Sequence, residues 1–255
     1  MKLSVVMITL NEAANIEACL NSVAFADECI VVDSGSTDGT IDIAEKLGAR
    51  VIPRTDWAGF GVQKNRALDQ ASGDWVFSID ADERVSTELK EEILAAMKEP
   101  VADAYRIPRS TFYCGHFLRY SGAAPDYVVR LWKRGTARFS EDIVHEHVLA
   151  EGKIGTLAAP ILHYSYRDFE EIIKKVNRYS TDAAVQAYQR GKRASLGDAL
   201  FHGFWGFFKS YVLKRGFLDG AAGVYYAVSR AELSYYKYMK LRHLHKSSTA
   251  MKDFR

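Results

Sequence analysis

Three apolar runs, each ending on acidic or amide side chains and separated by helix-period segments, constrain this chain more than any other feature. Leu3–Leu10 ends at Asn11-Glu12, Cys29–Val32 ends at Asp33-Ser34-Gly35, and the run from Trp75 ends at Asp80-Ala81-Asp82-Glu83. Between the first two, Ile16, Cys19, Leu20 and Val23 recur at i, i+3, i+4 and i+7, which predicts an amphipathic helix. Thr40–Leu47 reads as a second helix stopped by Gly48, Arg50–Pro53 as a further strand, and Lys64–Ala71 as a helix stopped near Gly73. Strands alternating with helices at this spacing predict an α/β fold: a mostly parallel sheet with helices on both faces. Ligands of such sheets bind beyond the carboxyl ends of the strands, so Glu12, Asp33, Asp80 and Asp82 are expected on one rim.

The acidic cluster is the strongest chemical signal. Carboxylates crowded at the end of a buried strand are costly unless a cation or a hydrogen-bonded ligand answers them. In extended backbone, residues i and i+2 face the same way, so Asp80 and Asp82 are expected to converge. Oxygen ligands at this density suit Mg²⁺ or Mn²⁺ shared with a phosphate-bearing substrate. A solvated acidic turn is the alternative for an isolated D-x-D, and the two similar strand ends upstream argue against it.

A chain of 255 residues, 48% hydrophobic, can bury a sizeable core. Cys19, Cys29 and Cys114 show no C-x-x-C spacing and cannot all pair, which suits a reducing cytosol; Cys19 and Cys29 fall at core-like positions. No secretory signal is legible, because the first apolar run is one strand long. Residues 190–255 carry 13 Lys/Arg against 4 Asp/Glu, although the whole chain is only +2. This basic tail is also aromatic, with Phe201, Phe204, Trp205, Phe207, Phe208, Tyr211 and Phe217 in one stretch. Its longest uncharged run is too short for a membrane span. Two readings fit: a surface lying on an anionic membrane, or helices whose rings pack on the catalytic core or on a second copy in a homo-oligomer. No motif for nucleic acid accompanies the charge.

Val5-Val-Met-Ile-Thr-Leu-Asn-Glu-Ala-Ala-Asn-Ile16, Val31-Val-Asp-Ser-Gly-Ser-Thr-Asp-Gly39 and Phe77-Ser-Ile-Asp-Ala-Asp-Glu83 resemble the signature segments of glycosyltransferase family 2, in that family's order and spacing. Phe60-Gly-Val-Gln-Lys-Asn-Arg-Ala-Leu68 resembles the segment that precedes its D-x-D strand. Farther on, Val144-His-Glu-His147, His163-Tyr-Ser-Tyr166 and Lys214-Arg-Gly-Phe-Leu-Asp-Gly220 resemble a subgroup of lipopolysaccharide core glucosyltransferases. The resemblance implies a GT-A fold over residues 1–165, a helical basic-aromatic extension over 166–255, a UDP-sugar donor and a divalent metal, Mg²⁺ or Mn²⁺. It implies that Thr9, Leu10, Asn11 and Glu12 line the nucleoside, that Asp33 bonds the base with Asp38 assisting, and that Lys64 and Arg66 reach the diphosphate. Asp80 would contact ribose or metal, Asp82 would be the main metal ligand, and His163 would be either a further one or a hydrogen-bonded core histidine. The implied reaction inverts the anomeric carbon in one displacement, with a carboxylate base drawn from Glu146, Asp142 or Glu141 and His145 or His147 orienting it. The implied acceptor is a hydroxyl of lipopolysaccharide core or another lipid-linked glycan, reached from the cytoplasmic face of the inner membrane. A polysaccharide or protein acceptor, and a non-catalytic membrane adaptor that keeps the fold, are the alternatives.

Competing enzyme classes fit the residues less well. A dinucleotide-binding fold needs G-x-G-x-x-G after the first strand, where Asn11-Glu-Ala-Ala-Asn-Ile16 stands. A haloacid-dehalogenase-like phosphatase wants Thr or Val two residues after its D-x-D, where Arg84 stands, and a sugar nucleotidyltransferase wants a Gly-rich loop after strand one. His145-Glu146-His147 lacks the spacing of a zinc helix.

Overall fold

The computed structural model describes residues 1–140 and 147–253. Its strands are β1 (Leu3–Thr9), β2 (Glu28–Asp33), β3 (Arg50–Pro53), β4 (Trp75–Ser78), β5 (Glu83–Val85), β6 (Ala104–Tyr113), β7 (His116–Phe117), β8 (Asp126–Lys133), β9 (Ala137–Phe139), β10 (Val148–Ala150), β11 (Ile154–Thr156) and β12 (Ile161–Tyr166). Its α-helices are α1 (Ala13–Ser22), α2 (Thr40–Lys46), α3 (Phe60–Leu68), α4 (Thr87–Lys98), α5 (Phe169–Gln189), α6 (Leu196–Phe208) and α7 (Gly220–Asp253). The main sheet runs in the order β3-β2-β1-β4-β8-β6-β12-β5. β3, β2, β1 and β4 are mutually parallel, and β8 joins β4 antiparallel.

Two compact units divide the chain: residues 1–110 with 126–163, and residues 111–125 with 164–255. In the first unit β1 is buried on both sides, as a central parallel strand requires. Its alternation sends Leu3, Val5 and Met7 to the face covered by Ile16, Cys19, Leu20 and Val23, and Val6 to the face covered by Ala67 and Leu68 of α3. The apolar spacing that predicted α1 is therefore its buried stripe. Cys19 is fully enclosed and burial pushes its thiol up, while burial pushes Cys29 up to about 11. Both behave as small apolar groups.

Two local expectations shift. The helix expected over Lys64–Ala71 spans Phe60–Leu68. Gly61 weakens the local signal at its start, whereas Gly61 and Gln63 are buried and the fold holds them helical. At its end Gln70 and Ala71 donate to Ala67 and Leu68, tightening the chain into turns. The extended backbone expected through Asp80-Ala81-Asp82 is absent. β4 stops at Ser78, and a turn closes with Glu83 N–H donating to the Asp80 carbonyl at 2.9 Å.

In the second unit α5, α6 and α7 pack together with residues 111–125. The Asp219 carboxylate accepts from the backbone N–H of Arg119 (2.9 Å) and Tyr120 (3.0 Å) and from Ser121 Oγ (2.8 Å), fixing that segment to the helical turn before α7. Tyr113 anchors a small core with Ile172, Val176 and Ala222 and shares a hydrogen bond with Ser229. Among the described residues no helix is long and apolar enough to cross a membrane.

Candidate active site

The loops after β1 and β2 are tied together at nearly every residue. Thr9 and Asp33 are direct partners in the parallel register, and Thr9 Oγ1 donates to Asp33 Oδ2 at 2.7 Å. Asn11 N–H donates to Ser36 Oγ (2.8 Å), and Thr37 N–H donates to Asn11 Oδ1 (2.9 Å). Glu12 N–H donates to Thr40 Oγ1 (2.8 Å), and Ala13 N–H, the first of α1, donates to Asp38 Oδ2 (3.0 Å). Asn11 holds φ 57°, a left-handed turn that Asn tolerates because its side chain bonds locally. Leu10 lies half exposed beside this turn. Thr9, Leu10, Asn11, Glu12, Asp33 and Asp38 thus form one platform at the carboxyl ends of β1 and β2.

Asp33 is the platform's organiser. Its side chain is fully buried, and Oδ1 accepts from Gly35 N–H (2.9 Å) and Ser36 N–H (2.7 Å) while Oδ2 accepts from Thr9 and from Ser36 Oγ (2.6 Å). Gly35 carries φ 102°, which the chain needs to fold back over the carboxylate. Burial would raise the Asp33 carboxyl, but the bonds from Ser36, Thr9 and Gly35 hold it below the usual carboxylate range. Four donors fill its four lone-pair directions. A further donor from a ligand reaches Asp33 only when a hydroxyl, Ser36 or Thr9, rotates away.

The acidic turn is answered largely from within the protein. Arg130, on β8, places Nη2 2.5 Å from Asp80 Oδ2 and 2.8 Å from Glu83 Oε1. Lys64 Nζ lies 3.1 Å from Asp80 Oδ1. Glu83 is fully buried; its Oε2 accepts the Asp80 N–H at 2.9 Å, and Arg109 stands 3.9 Å from its Oε1. Arg84 donates to the carbonyls of Ala81 (2.8 Å), Glu83 (2.7 Å) and Asn15 (2.9 Å), riveting the turn to α1. Burial pushes the Asp80 carboxyl up, but the charges of Arg130 and Lys64 override it and hold the group well below the usual range. Arg130 escaped the sequence reading. The signal for it was an arginine inside the apolar strand Tyr127-Val-Val-Arg-Leu-Trp132, where a buried charge needs carboxylate partners.

Asp82 occupies different surroundings from Asp80. β12 pairs antiparallel with β5, setting His163 opposite Glu83, and His163 Nε2 lies 3.2 Å from Asp82 Oδ2. Both side chains are partly exposed. A carboxylate and an imidazole on one partly open spot suit a divalent ion whose remaining positions are taken by phosphate oxygens and water. Among the described residues no group of three or more His, Cys, Asp or Glu side chains is placed to hold a metal ion.

Lys64 and Arg66 part company. Two residues apart on α3, they point to opposite sides, and Arg66 is held by Asp56 (Nη2 to Oδ2, 2.6 Å) and Gln63 (2.6 Å) rather than turning toward Asp80. Glu141, Asp142, His145 and Glu146 lie outside the described residues. His147 Nδ1 is 3.1 Å from Ser140 Oγ.

Comparison with known proteins agrees with this geometry. The model of the family described as Glycosyl transferase family 2 matches residues 4–145. An uncharacterized glycosyltransferase of Rickettsia bellii is 35% identical, over 95% of this chain and 87% of its own length. The lipopolysaccharide core biosynthesis glycosyltransferase LpsC of Rhizobium meliloti is 33% identical, over 92% of this chain and 93% of its own length. The crystal structure of S. aureus TarS 1-349 in complex with UDP shares the fold at a TM-score of 0.51 and 19% identity, over 97% of this chain and 92% of that one. The paired strand-end loops, the acidic turn and a family match covering more than half the chain lead to one assignment: this chain belongs to glycosyltransferase family 2 and has the GT-A fold.

Proposed function

We propose that the chain transfers a sugar, glucose in the first instance, from a UDP-sugar to a hydroxyl of lipopolysaccharide core or a similar lipid-linked glycan. The observation that supports this reading is that β1, β2 and β4 run parallel and adjacent, so that the Asp33 platform and the turn bearing Asp80 and Asp82 follow the carboxyl ends of neighbouring strands, with Lys64 and His163 beside that turn. Backbone and side chains of Thr9–Glu12 and the loop from Asp33 to Asp38 hold the nucleoside, and Asp33 meets the base once Ser36 rotates. Lys64 faces the diphosphate, a contact its compact cation makes well. Asp82 and His163 would hold Mg²⁺ or Mn²⁺, which as a Lewis acid would offset the charge developing on the departing diphosphate. Asp80 is fastened to Arg130 and Lys64, so its part is to position Lys64 and, through it, the donor. An acceptor hydroxyl needs a base within hydrogen-bond reach, and Glu146 is the first choice, ahead of Asp142 and Glu141.

The acceptor assignment rests on LpsC, named for lipopolysaccharide core biosynthesis and related along nearly the whole chain. The protein would then work peripherally at the cytoplasmic face of the inner membrane. The test is a panel of nucleotide sugars with Mn²⁺, with the products followed by proton NMR. Slow hydrolysis confined to UDP-sugars, and transfer to a deacylated core oligosaccharide with inverted anomeric configuration, are expected. Turnover of purine nucleotide sugars in preference, or retained configuration, would contradict the reading. Binding without any turnover would leave an adaptor that keeps the fold.

A further inference from the structure

Helix α6 is built inside out for a soluble helix. It meets α7 through its smallest residues: Ala199 and Gly203 are buried there, and Ser210 continues the line just beyond the helix. A Cβ on Gly203 would stand 3.3 Å from Tyr235 Cβ, and one on Gly206 would stand 2.9 Å from the Arg230 carbonyl oxygen, so the backbones nearly touch. His202 stacks on Tyr238 of α7, while Leu200, Phe201, Phe204 and Trp205 face away. Leu200 is 58% exposed, Phe201 62%, Phe204 66% and Trp205 42%, at i, i+1, i+4 and i+5 on one stripe. Leu213 and Phe217, which follow in the next two helical turns, are also more than half or about half exposed. Scattered apolar residues on a surface need no explanation, but a contiguous aromatic stripe of this kind marks a contact.

The charge around the stripe indicates what covers it. Arg190, Lys192 and Arg193 precede α6, and Lys209, Lys214 and Arg215 follow its stripe, all exposed. From Ala199 to Leu218 there is no Asp or Glu, Asp198 is spent in the capping box with Ser195, and Asp219 is buried against the Arg119–Ser121 backbone. A two-fold contact between copies of this chain would bring the same basic rim against itself. An anionic bilayer meets both features, phosphates against the basic rim and acyl chains against the rings, and among the described residues no helix is long and apolar enough to cross a membrane.

We propose that the outward face of α6, with Leu200, Phe201, Phe204 and Trp205 at its centre, is a monotopic membrane-docking surface that lies in the headgroup region of an anionic bilayer. The surface is independent of the donor chemistry, and UDP-dependent thermal stabilisation measured beside it reads the donor site separately. The experiment is cosedimentation of the full chain with phosphatidylglycerol–phosphatidylethanolamine vesicles and with phosphatidylcholine vesicles, at low and high salt. Wild type should sediment with the anionic vesicles and bind less as salt rises. Phe201→Ser with Phe204→Ser should weaken partitioning by about tenfold or more while circular dichroism and UDP stabilisation stay unchanged. A second measurement uses a Trp57→Phe background, in which bromine-labelled acyl chains should quench Trp205, the remaining exposed tryptophan. Equal partitioning of wild type and double variant, or no quenching in the presence of anionic vesicles, would overturn the proposal. A concentration-dependent dimer that the double variant abolishes, without vesicle binding, would assign the face to a second copy instead.

Discussion

Replacing Arg130 by Met tests whether the buried ion cluster under the acidic turn holds this part of the fold. In wild type one guanidinium nitrogen serves both Asp80 (2.5 Å) and Glu83 (2.8 Å). Asp80 retains Lys64 after the change and is partly exposed, so its loss is cushioned. Glu83 is fully buried, and among the described residues it retains the Asp80 N–H and a guanidinium 3.9 Å away that is already bound to Asp126. Removing one partner of a buried pair in this way costs roughly 3–5 kcal/mol. For a chain of this size each kcal/mol lowers Tm by about 2–4 °C, so the drop should be roughly 6–20 °C. Adding Glu83→Gln removes the stranded charge and should recover most of that loss. The recovery is the sharper readout, because Arg130 Nε is buried with no hydrogen-bond partner among the described residues, and an imperfectly satisfied ion pair gives way to neutral groups at little net cost. Urea unfolding of the wild type, both single variants and the double variant measures the coupling directly. A loss below about 1 kcal/mol for Arg130→Met, or strictly additive singles, would refute the reasoning.

Three further outcomes follow from the same geometry. The folded-state carboxyl of Asp80 is depressed from an ordinary value of 3.8, so its stabilisation is full above that pH and is lost as pH falls below it; the urea-midpoint gap between wild type and Asp80→Asn should therefore narrow on acidification from pH 5 toward 2.5, and a constant gap would contradict the assignment. Glu146→Gln should lower turnover by about 10²–10⁴ with little change in donor affinity and Asp142→Asn by less, whereas small equal losses would move the base to Glu141. Gly206→Val should destabilise by about 1–3 kcal/mol in thermal unfolding, because its Cβ falls against the Arg230 carbonyl in α7, and an unchanged midpoint would mean that the helices separate freely there.

The parallel half of the sheet was legible because its signals are local. β1, β2 and β3 carry their period and stop residues within a dozen positions, and their limits fall within a residue of the reading; for α1 the apolar spacing marked the helix without its limits, and Ala13–Ser22 carries three of the four positions, with Val23 at its C-cap. The acidic turn was legible as a cluster but not as a geometry. Extended alternation would have aimed Asp80 and Asp82 together; the turn after Ser78 gives Asp80 to Lys64 and Arg130, and Asp82 to His163. Those partners lie on α3, β8 and β12, and pairing over such sequence separations leaves no periodic trace. Arg66 illustrates the same limit: the helix over it was read, but nothing local showed that Asp56, in the loop before α3, would hold its guanidinium away from Lys64. The tail was legible in composition, but which rings face outward depended on Gly203 and Gly206 setting the contact with α7.

The central claim, a donor site linked to a divalent ion through Asp82 and His163, is tested most directly by calorimetric titration of UDP with and without Mn²⁺. Binding to wild type should be at least about tenfold tighter with the metal, and Asp82→Asn should lose that gain while its unfolding midpoint stays near wild type. UDP affinity that is the same in wild type and Asp82→Asn with Mn²⁺ present would contradict the claim.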